Sequence, residues 1–374
     1  MIQNIGLLNF KCFRRASVSL SNLTVLTGLN GMGKSSAIQA LLIVAQSIAD
    51  DSNKGRLLTK GKYIDLGTSS DILHDNAKTN SIGIRISGGN SRATFKLRAK
   101  ATQKNNYVYN NNFSTLRLET FSDPLCAPSS QNGISKFQYL QAERSGPRKY
   151  LPVGDDQSES FEIGSQGEFV LHLLDIHGSS PLDSADPRVI SGDGHRLIDQ
   201  TEAWLKLVSP GVSLQLKTLY EADLIQAGFS FSSPGSLNSR TYRATNVGFG
   251  ISYVLPVIVA LLATPTGGLI IIENPEAHLH PQGQTHLGEL CARAAKAGIQ
   301  VIIETHSDHF MDGVRISVKN KTLTPSQVQF HYFHRQGTET EIKSPNIDDK
   351  GKLSEWPEGF NDQHRKNAVQ LLKP

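Results

Sequence analysis

Leu23-Thr-Val-Leu-Thr-Gly28-Leu-Asn-Gly-Met-Gly33-Lys34-Ser35-Ser36 is the stretch on which the fold turns. An apolar run leads into a glycine-rich turn, and Ala37-Ile-Gln-Ala-Leu-Leu-Ile-Val-Ala45 follows as a helix. Strand, glycine turn and helix in that order are what a phosphate-binding P-loop requires. Glycines let backbone N–H groups converge on phosphate oxygens, and the helix start adds the positive end of its dipole. Asn30, Gly31, Gly33, Lys34, Ser35 and Ser36 are the expected nucleotide contacts. Lys34 reaches the β- and γ-phosphates in this reading, and the Ser35 hydroxyl ligates Mg²⁺.

Outward from this loop, the chain divides by pattern. We read four segments: 1–60 as the N-terminal half of a nucleotide-binding core, 61–240 as a β-rich and helical inserted segment, 241–320 as the second half of the core, and 321–374 as terminal strands and a short helix. Alternating runs at 81–87, 93–98, 113–119 and 137–141 predict strands of the middle segment. Asn105–Asn112, rich in asparagine, reads as a hairpin tip or loop. Helices are expected near 167–177 and 194–208, followed by strands at 212–217 and 228–232. From 245 the pattern is α/β again. The helix Val254–Leu262 precedes Leu269-Ile-Ile-Ile272, and a helix over 283–296 precedes Gln300-Val-Ile-Ile303. Near-continuous Ile/Val strands separated by helices predict a parallel sheet covered on both faces.

Each of these two buried strands ends in acid. After the first comes Glu273-Asn-Pro-Glu276-Ala-His278-Leu-His280-Pro281, and after the second Glu304-Thr-His306-Ser-Asp308. The C-terminal edge of a parallel sheet is where such folds bind ligands. A carboxylate there belongs in the Mg²⁺ shell or acts on the attacking water. Glu273 is the expected metal partner, and His306 the expected γ-phosphate sensor.

These residues resemble the ABC-type ATPase family, in the branch that contains the SMC-like and overcoming-lysogenisation-defect (OLD) ATPases. Ile5–Phe13 resembles that branch's first strand, Glu273–Pro281 its Walker B and D-loop, and Thr305-His306-Ser307 its switch-histidine loop. Asn246-Val-Gly-Phe-Gly-Ile-Ser-Tyr-Val-Leu-Pro256 occupies the position of its signature motif. The resemblance implies an α/β P-loop NTPase, an ABC/SMC-like ATPase head with a β-rich inserted middle segment, using ATP and Mg²⁺. It further implies that Gly248, Gly250 and Ser252 touch the γ-phosphate of ATP on a second subunit, giving a homodimer or higher oligomer. Tyr63–Gly67, Gln141–Arg148 and Trp356–Phe360 extend it to compact prokaryotic relatives, often labelled as domains of unknown function. Some of those serve in antiphage defence beside a nuclease.

The family reads Asp-Glu-Pro where this chain has Glu273-Asn274-Pro275. Glu273 can hold the metal on a longer arm, but Asn274 cannot take a proton. Glu276 and Glu304 are then the candidate bases, and slow hydrolysis is expected. The expected function is an ATPase subunit that dimerises around ATP and regulates a nuclease or other effector. The alternatives are a DNA-repair or DNA-end-binding ATPase and a slow nucleotide-dependent scaffold. The interval between Lys34 and Glu273 lacks the heptads that SMC arms need.

Other constellations carry less. Glu276, His278, His280 and His286 are ligand types for zinc, but the motif above already accounts for them. Arg144 and Arg148 read either as phosphate-contacting or coupling residues or as surface ion pairs beside a Gly-Pro turn. Lys96, Arg98 and Lys100 alternate along one strand and are compatible with contact to nucleic acid. Trp356–Phe360 reads as a partner-docking turn or as packing of the C-terminal tail. No nuclease motif follows residue 320, so DNA cutting is expected from another protein. The hydrophobic and charged fractions, 38% and 19%, fit an ordinary globular chain. No 18-residue apolar run predicts a membrane span. Three scattered cysteines (Cys12, Cys126 and Cys291) make neither a disulfide framework nor a zinc site, and a cytoplasmic setting is expected. The net charge of +4 permits nucleic acid without demanding it.

Overall fold

The computed structural model describes residues 1–49, 57–89, 91–98, 107–108, 130–131, 133–154, 161–232, 239–337, 339–356, 367 and 369–372. The chain forms two compact units. The first comprises residues 1–128, 325–348 and 352–374, the second 129–324 and 349–351.

In the first unit, β1 (Asn4–Phe10) pairs antiparallel with β2 (Phe13–Ser19) on one side and β4 (Ser81–Gly88) on the other. β5 (Ser91–Arg98) completes this sheet beside β4. Ile5 and Leu7 of β1 and Ile82, Ile84 and Ile86 of β4 are buried, so the alternating pattern has one face in the core. β3 (Leu23–Gly28) is different: all six of its residues are buried. It pairs parallel with β11 (Val328–Gln336), from Leu23 opposite Val328 to Gly28 opposite Phe333, and β12 (Glu339–Lys343) runs antiparallel beside β11. The chain leaves β3 through the glycine turn into α1 (Lys34–Ile48).

The second unit is built on three parallel strands. β6 (Phe137–Leu140), β9 (Leu269–Glu273) and β10 (Gln300–Glu304) lie in that order, with Leu140 opposite Ile272 and Glu273 opposite Glu304. The continuous apolar runs predicted such burial for β9 and β10. Residues 137–141, expected among the alternating strands of the middle segment, instead supply β6 of this sheet. α4 (Phe249–Ala263) is apolar all round and buried from Val254 to Leu262. Arg188 satisfies its last turn by donating to the carbonyls of Leu261 and Thr264, while pairing with Asp186. α5 (Pro281–Lys296) starts with Pro281 at its first position, where the missing N–H costs nothing. α6 (Asp308–Lys319) is capped by Ser307, whose hydroxyl accepts from the Phe310 N–H at 2.9 Å. α2 (Val170–His177), α3 (Leu197–Val208) and the antiparallel hairpin of β7 (Val212–Leu219) with β8 (Leu224–Phe231) complete the unit.

The helices and strands expected between 81 and 98 and between 137 and 303 are thus present, within a few residues of their predicted limits. The stretch of the short helix expected near the C-terminus lies largely outside the described residues. The strand expected at 113–119 lies outside the described residues. Of the loop expected at 105–112, Tyr107-Val108 forms a short bridge to Leu57-Leu58. Among the described residues no helix is long and apolar enough to cross a membrane.

Candidate functional site

The first unit presents the glycine turn. Gly28, Gly31 and Gly33 have φ of 132°, 75° and 104°, a region that side chains disfavour. Gly33 also has no room for one: a Cβ would lie 2.7 Å from Cys12 Sγ and 2.8 Å from Phe13 Cζ. Gly33 caps α1 in the left-handed conformation, with no side chain bonded to the cap and no acidic residue in the first turn. A helix start without an acidic side chain in its first turn favours an anion. Lys34 is 3% exposed, and its ammonium donates to the carbonyls of Gly28 and Leu29 at 2.9 and 3.0 Å. It ties the loop into a ring about its own side chain. Asn30 and Gly31 are exposed at the tip, while Ser35 and Ser36 are half-buried in the first helical turn. A glycine cradle at an uncapped helix start, with a cation folded over it, fits a nucleotide's phosphates.

The second unit presents the acidic edge. Glu273 ends β9, and its Oε1 accepts a hydrogen bond of 2.9 Å from the Tyr139 hydroxyl of β6. Beyond it the chain turns sharply. Asn274 sits at φ 45° and His278 at φ 64°, both in the left-handed region. Asparagine and histidine are among the side chains that tolerate it. The Asn274 N–H donates to the Glu304 carbonyl at 2.8 Å and extends the β9–β10 pairing by one bond. Glu276 is folded back so that its Oε1 accepts from the His306 N–H at 2.9 Å. Its Oε2 is buried and has no hydrogen-bond partner among the described residues. Burial pushes the Glu273 and Glu276 carboxyls above the usual carboxylate range, against the pull of these hydrogen bonds and of Arg144. A buried carboxylate oxygen left open is suited to take a proton from water. Glu304 is buried at the end of β10, whereas His306 is exposed.

Residues 23–312 match the protein family described as "AAA domain, putative AbiEii toxin, Type IV TA system". The chain belongs to this AAA family. The matched stretch runs from β3 through the P-loop to α6, taking in both acidic strand ends. Residues 323–371 match a second family, described as a protein of unknown function, DUF3696. The chain is 21% identical over 336 residues to an OLD nuclease of Thermus scotoductus, a match covering 83% of this chain and 60% of the relative. It thus spans about three fifths of that relative's length. Among solved structures it is similar to an Smc head bound to the C-terminal winged-helix domain of ScpA, at 15% identity and TM-score 0.52, covering 92% of this chain and 98% of that one. It is likewise similar to an Smc head with an extended coiled coil from Pyrococcus furiosus, bound to the C-terminal domain of ScpA. That match is at 12% identity and TM-score 0.51, covering 100% of this chain and 99% of the other. The fold is that of an ABC/SMC-like P-loop ATPase head, and the chain is similar to SMC- and OLD-type proteins.

Two of the expectations for this AAA chain change in the structure. Ser252, expected on the γ-phosphate of a second subunit, has its hydroxyl buried and without a hydrogen-bond partner among the described residues. It lines a partly open pocket with Ser145, Leu255 and Pro256. The reason is helical phase: α4 starts at Phe249, and position 252 has already rotated inward. Gly248 is exposed at the helix start with open space where a Cβ would stand, and half-buried Gly250 follows it. Arg144 is no surface residue. It is 4% exposed and donates to the carbonyls of Gln141, Glu273 and Asn274. Arg148 is exposed, its Nε bonded to the Ser145 carbonyl.

The zinc reading finds no support, since no group of three or more His, Cys, Asp or Glu able to hold a metal occurs among the described residues. His278 packs between the rings of Phe249 and Tyr253, and His280 caps α5. Lys96 and Arg98 stand opposite Gly83 and Ser81 in the β4–β5 register, and Lys100 lies outside the described residues. Trp356 is 45% exposed, and residues 357–360 also lie outside the described set. Two residues near the acids were missed by motif reading. Tyr139 is a polar group in an apolar strand, and that incongruity was its signal. Gln141 follows β6 at the level of Glu273 on the neighbouring strand, a placement visible only once β6 is known to be parallel to β9.

Proposed function

We propose that this chain binds ATP with Mg²⁺, dimerises around it and hydrolyses it slowly, and that this cycle regulates a nuclease or other effector in prokaryotic antiphage defence. The conformation of the P-loop is the observation that carries the reading: three left-handed glycines, an uncapped helix start and an ammonium folded over the turn. In this account Asn30, Gly31, Gly33 and Ser36 hold the phosphates through the loop and first helical turn, and Lys34 swings from the loop carbonyls to phosphate oxygens. Ser35 and Glu273 are the groups that would hold Mg²⁺, through hard oxygens of the type that ion prefers. Mg²⁺ supplies charge neutralisation on the β- and γ-phosphates. Tyr139 fixes the Glu273 carboxylate by hydrogen bond. Glu276 takes the proton of the attacking water on its open oxygen, and His306 senses the γ-phosphate. Glu304, carrying the other carboxylate of the edge, assists. Gly248 and Gly250 at the exposed start of α4 close over nucleotide held by a second copy. With Asn274 unable to accept a proton and the working base two positions later, turnover is slow and the bound state long-lived.

The effector part of the reading is supported by the likeness to an OLD nuclease, of which this chain matches about three fifths. The motifs identified here are those of the ATPase, and nuclease action is assigned to a partner. ATP affinity and turnover of the wild type and Lys34→Ala test the core of the proposal. Losing a charge-assisted phosphate contact should weaken ATP binding roughly 10- to 100-fold and remove turnover. Unchanged affinity in Lys34→Ala would overturn the P-loop assignment.

A further inference from the structure

Arg144 joins two parts of the second unit that the ATPase cycle must keep in step. Its fork faces the turn after β9: Nη1 donates to the Glu273 carbonyl at 2.9 Å and to the Gln141 carbonyl at 3.1 Å, and Nη2 donates to the Asn274 carbonyl at 2.6 Å. The flat side of the same guanidinium faces α4, with its carbon 5.1 Å from the centre of the Tyr253 ring. Tyr253 meets Phe249 at 5.0 Å and His278 at 4.7 Å between ring centres, and Phe249 meets His278 at 4.7 Å. Gly250 sits directly on the backbone here, since a Cβ would approach the His278 carbonyl oxygen to 2.6 Å. The first turn of α4 and the turn bearing Glu273 and Glu276 are thus in continuous contact, with a buried arginine at their junction. Nη1 and Nη2 are spent on three carbonyls and Nε is buried without a hydrogen-bond partner among the described residues, so Arg144 is no surface ion pair.

We propose that Arg144 is a positioning residue that couples nucleotide docking at Gly248–Gly250 to the carboxylates of the Glu273–Glu276 turn. This rests on the ATPase reading above, in which the start of α4 meets ATP held by a second copy. A displacement of Phe249 there moves Tyr253 and His278 together, and the Arg144 fork carries it to the Glu273 and Asn274 carbonyls. Arginine suits this because one planar group bonds three carbonyls and stacks on a ring, which a lysine ammonium cannot do. Phe249, 46% exposed at the helix start, is the outer end of the cluster.

The test measures ATP affinity and kcat for the wild type, Arg144→Lys, Phe249→Leu and the double variant, with Lys34→Ala as control. Arg144→Lys should lower kcat about tenfold while ATP affinity stays within about twofold, since the P-loop is untouched. Phe249→Leu should lower kcat less, and the double variant should be no slower than Arg144→Lys alone, because both act through one contact chain. Wild-type kcat in Arg144→Lys, affinity falling in step with kcat, or effects that multiply would each overturn the proposal. If Arg144→Lys does not fold, the cycle between Phe249→Leu and Tyr253→Leu replaces it, and multiplying effects again overturn it. Lys34-dependent turnover that Arg144→Lys leaves unmoved sinks this proposal alone. A wild type with no Lys34-dependent turnover sinks the ATPase reading and this one with it.

Discussion

Asn274 stands where a catalytic acid is expected, and the backbone shows what its side chain is suited to. At φ 45° it lies in the region that asparagine tolerates best among side-chain-bearing residues, and its N–H closes the β9–β10 ladder on Glu304. In the proposed cycle the proton acceptor is instead Glu276, whose Oε2 is buried and without a hydrogen-bond partner among the described residues. Keeping Glu273 and Glu276 in this environment costs stability. Their carboxyls are held above the ordinary 4.5 by burial, so between that value and the raised one the folded chain binds more protons than the unfolded chain. The stability they contribute is complete below the ordinary value and is lost as pH rises through the raised one. Glu276→Gln should therefore raise the melting temperature at neutral pH, by on the order of 1 kcal/mol of stability, and flatten the fall in stability with rising pH. Denaturation at a series of pH values reads this, and an unchanged slope with no gain in stability contradicts it. For activity the sign is the same: a base must be deprotonated, so the acidic limb of the kcat profile should lie above the ordinary carboxylate range. A limb at the ordinary value would argue against Glu276.

At the scale of elements, α4 decides how a second copy can be read. Its apolar length is buried and its C-terminus is capped by Arg188, which leaves the Gly248 end as the part on the surface. Gly248 has ordinary φ and open space at Cβ, so a side chain there disturbs nothing within the subunit. Gly248→Arg should leave folding and ATP affinity of the monomer unchanged while abolishing ATP-dependent dimerisation, as light scattering with and without ATP would show. A Gly248→Arg chain that dimerises like the wild type would remove the α4 start from the interface. The elements also show what could be read in advance. The P-loop was legible because glycines, lysine and the flanking strand and helix are all local. β9 and β10 were legible because strands buried on both faces are continuously apolar. The inward direction of the Ser252 hydroxyl could not be read in advance, because the motif gives its neighbours but not the helical phase of α4. Arg144 stayed ambiguous because a Gly-Pro turn gives no sign of which arginine is buried, and two of its three carbonyl partners lie about 130 positions away in sequence. β6 was grouped with its sequence neighbours because a four-residue run cannot reveal a parallel partner so distant.

At the scale of the whole molecule, the AAA family match and the SMC-head fold describe an ATPase, and the proposal adds a cycle in which ATP holds two copies together until Glu276 lets it go. Molar mass by light scattering of Glu276→Gln with Mg²⁺ and ATP tests this most directly, because slowing the base should trap the closed state. The account predicts 40.8 kDa without nucleotide and twice that with ATP, the larger species persisting longer than in the wild type. A mass that stays at 40.8 kDa at saturating ATP would contradict it.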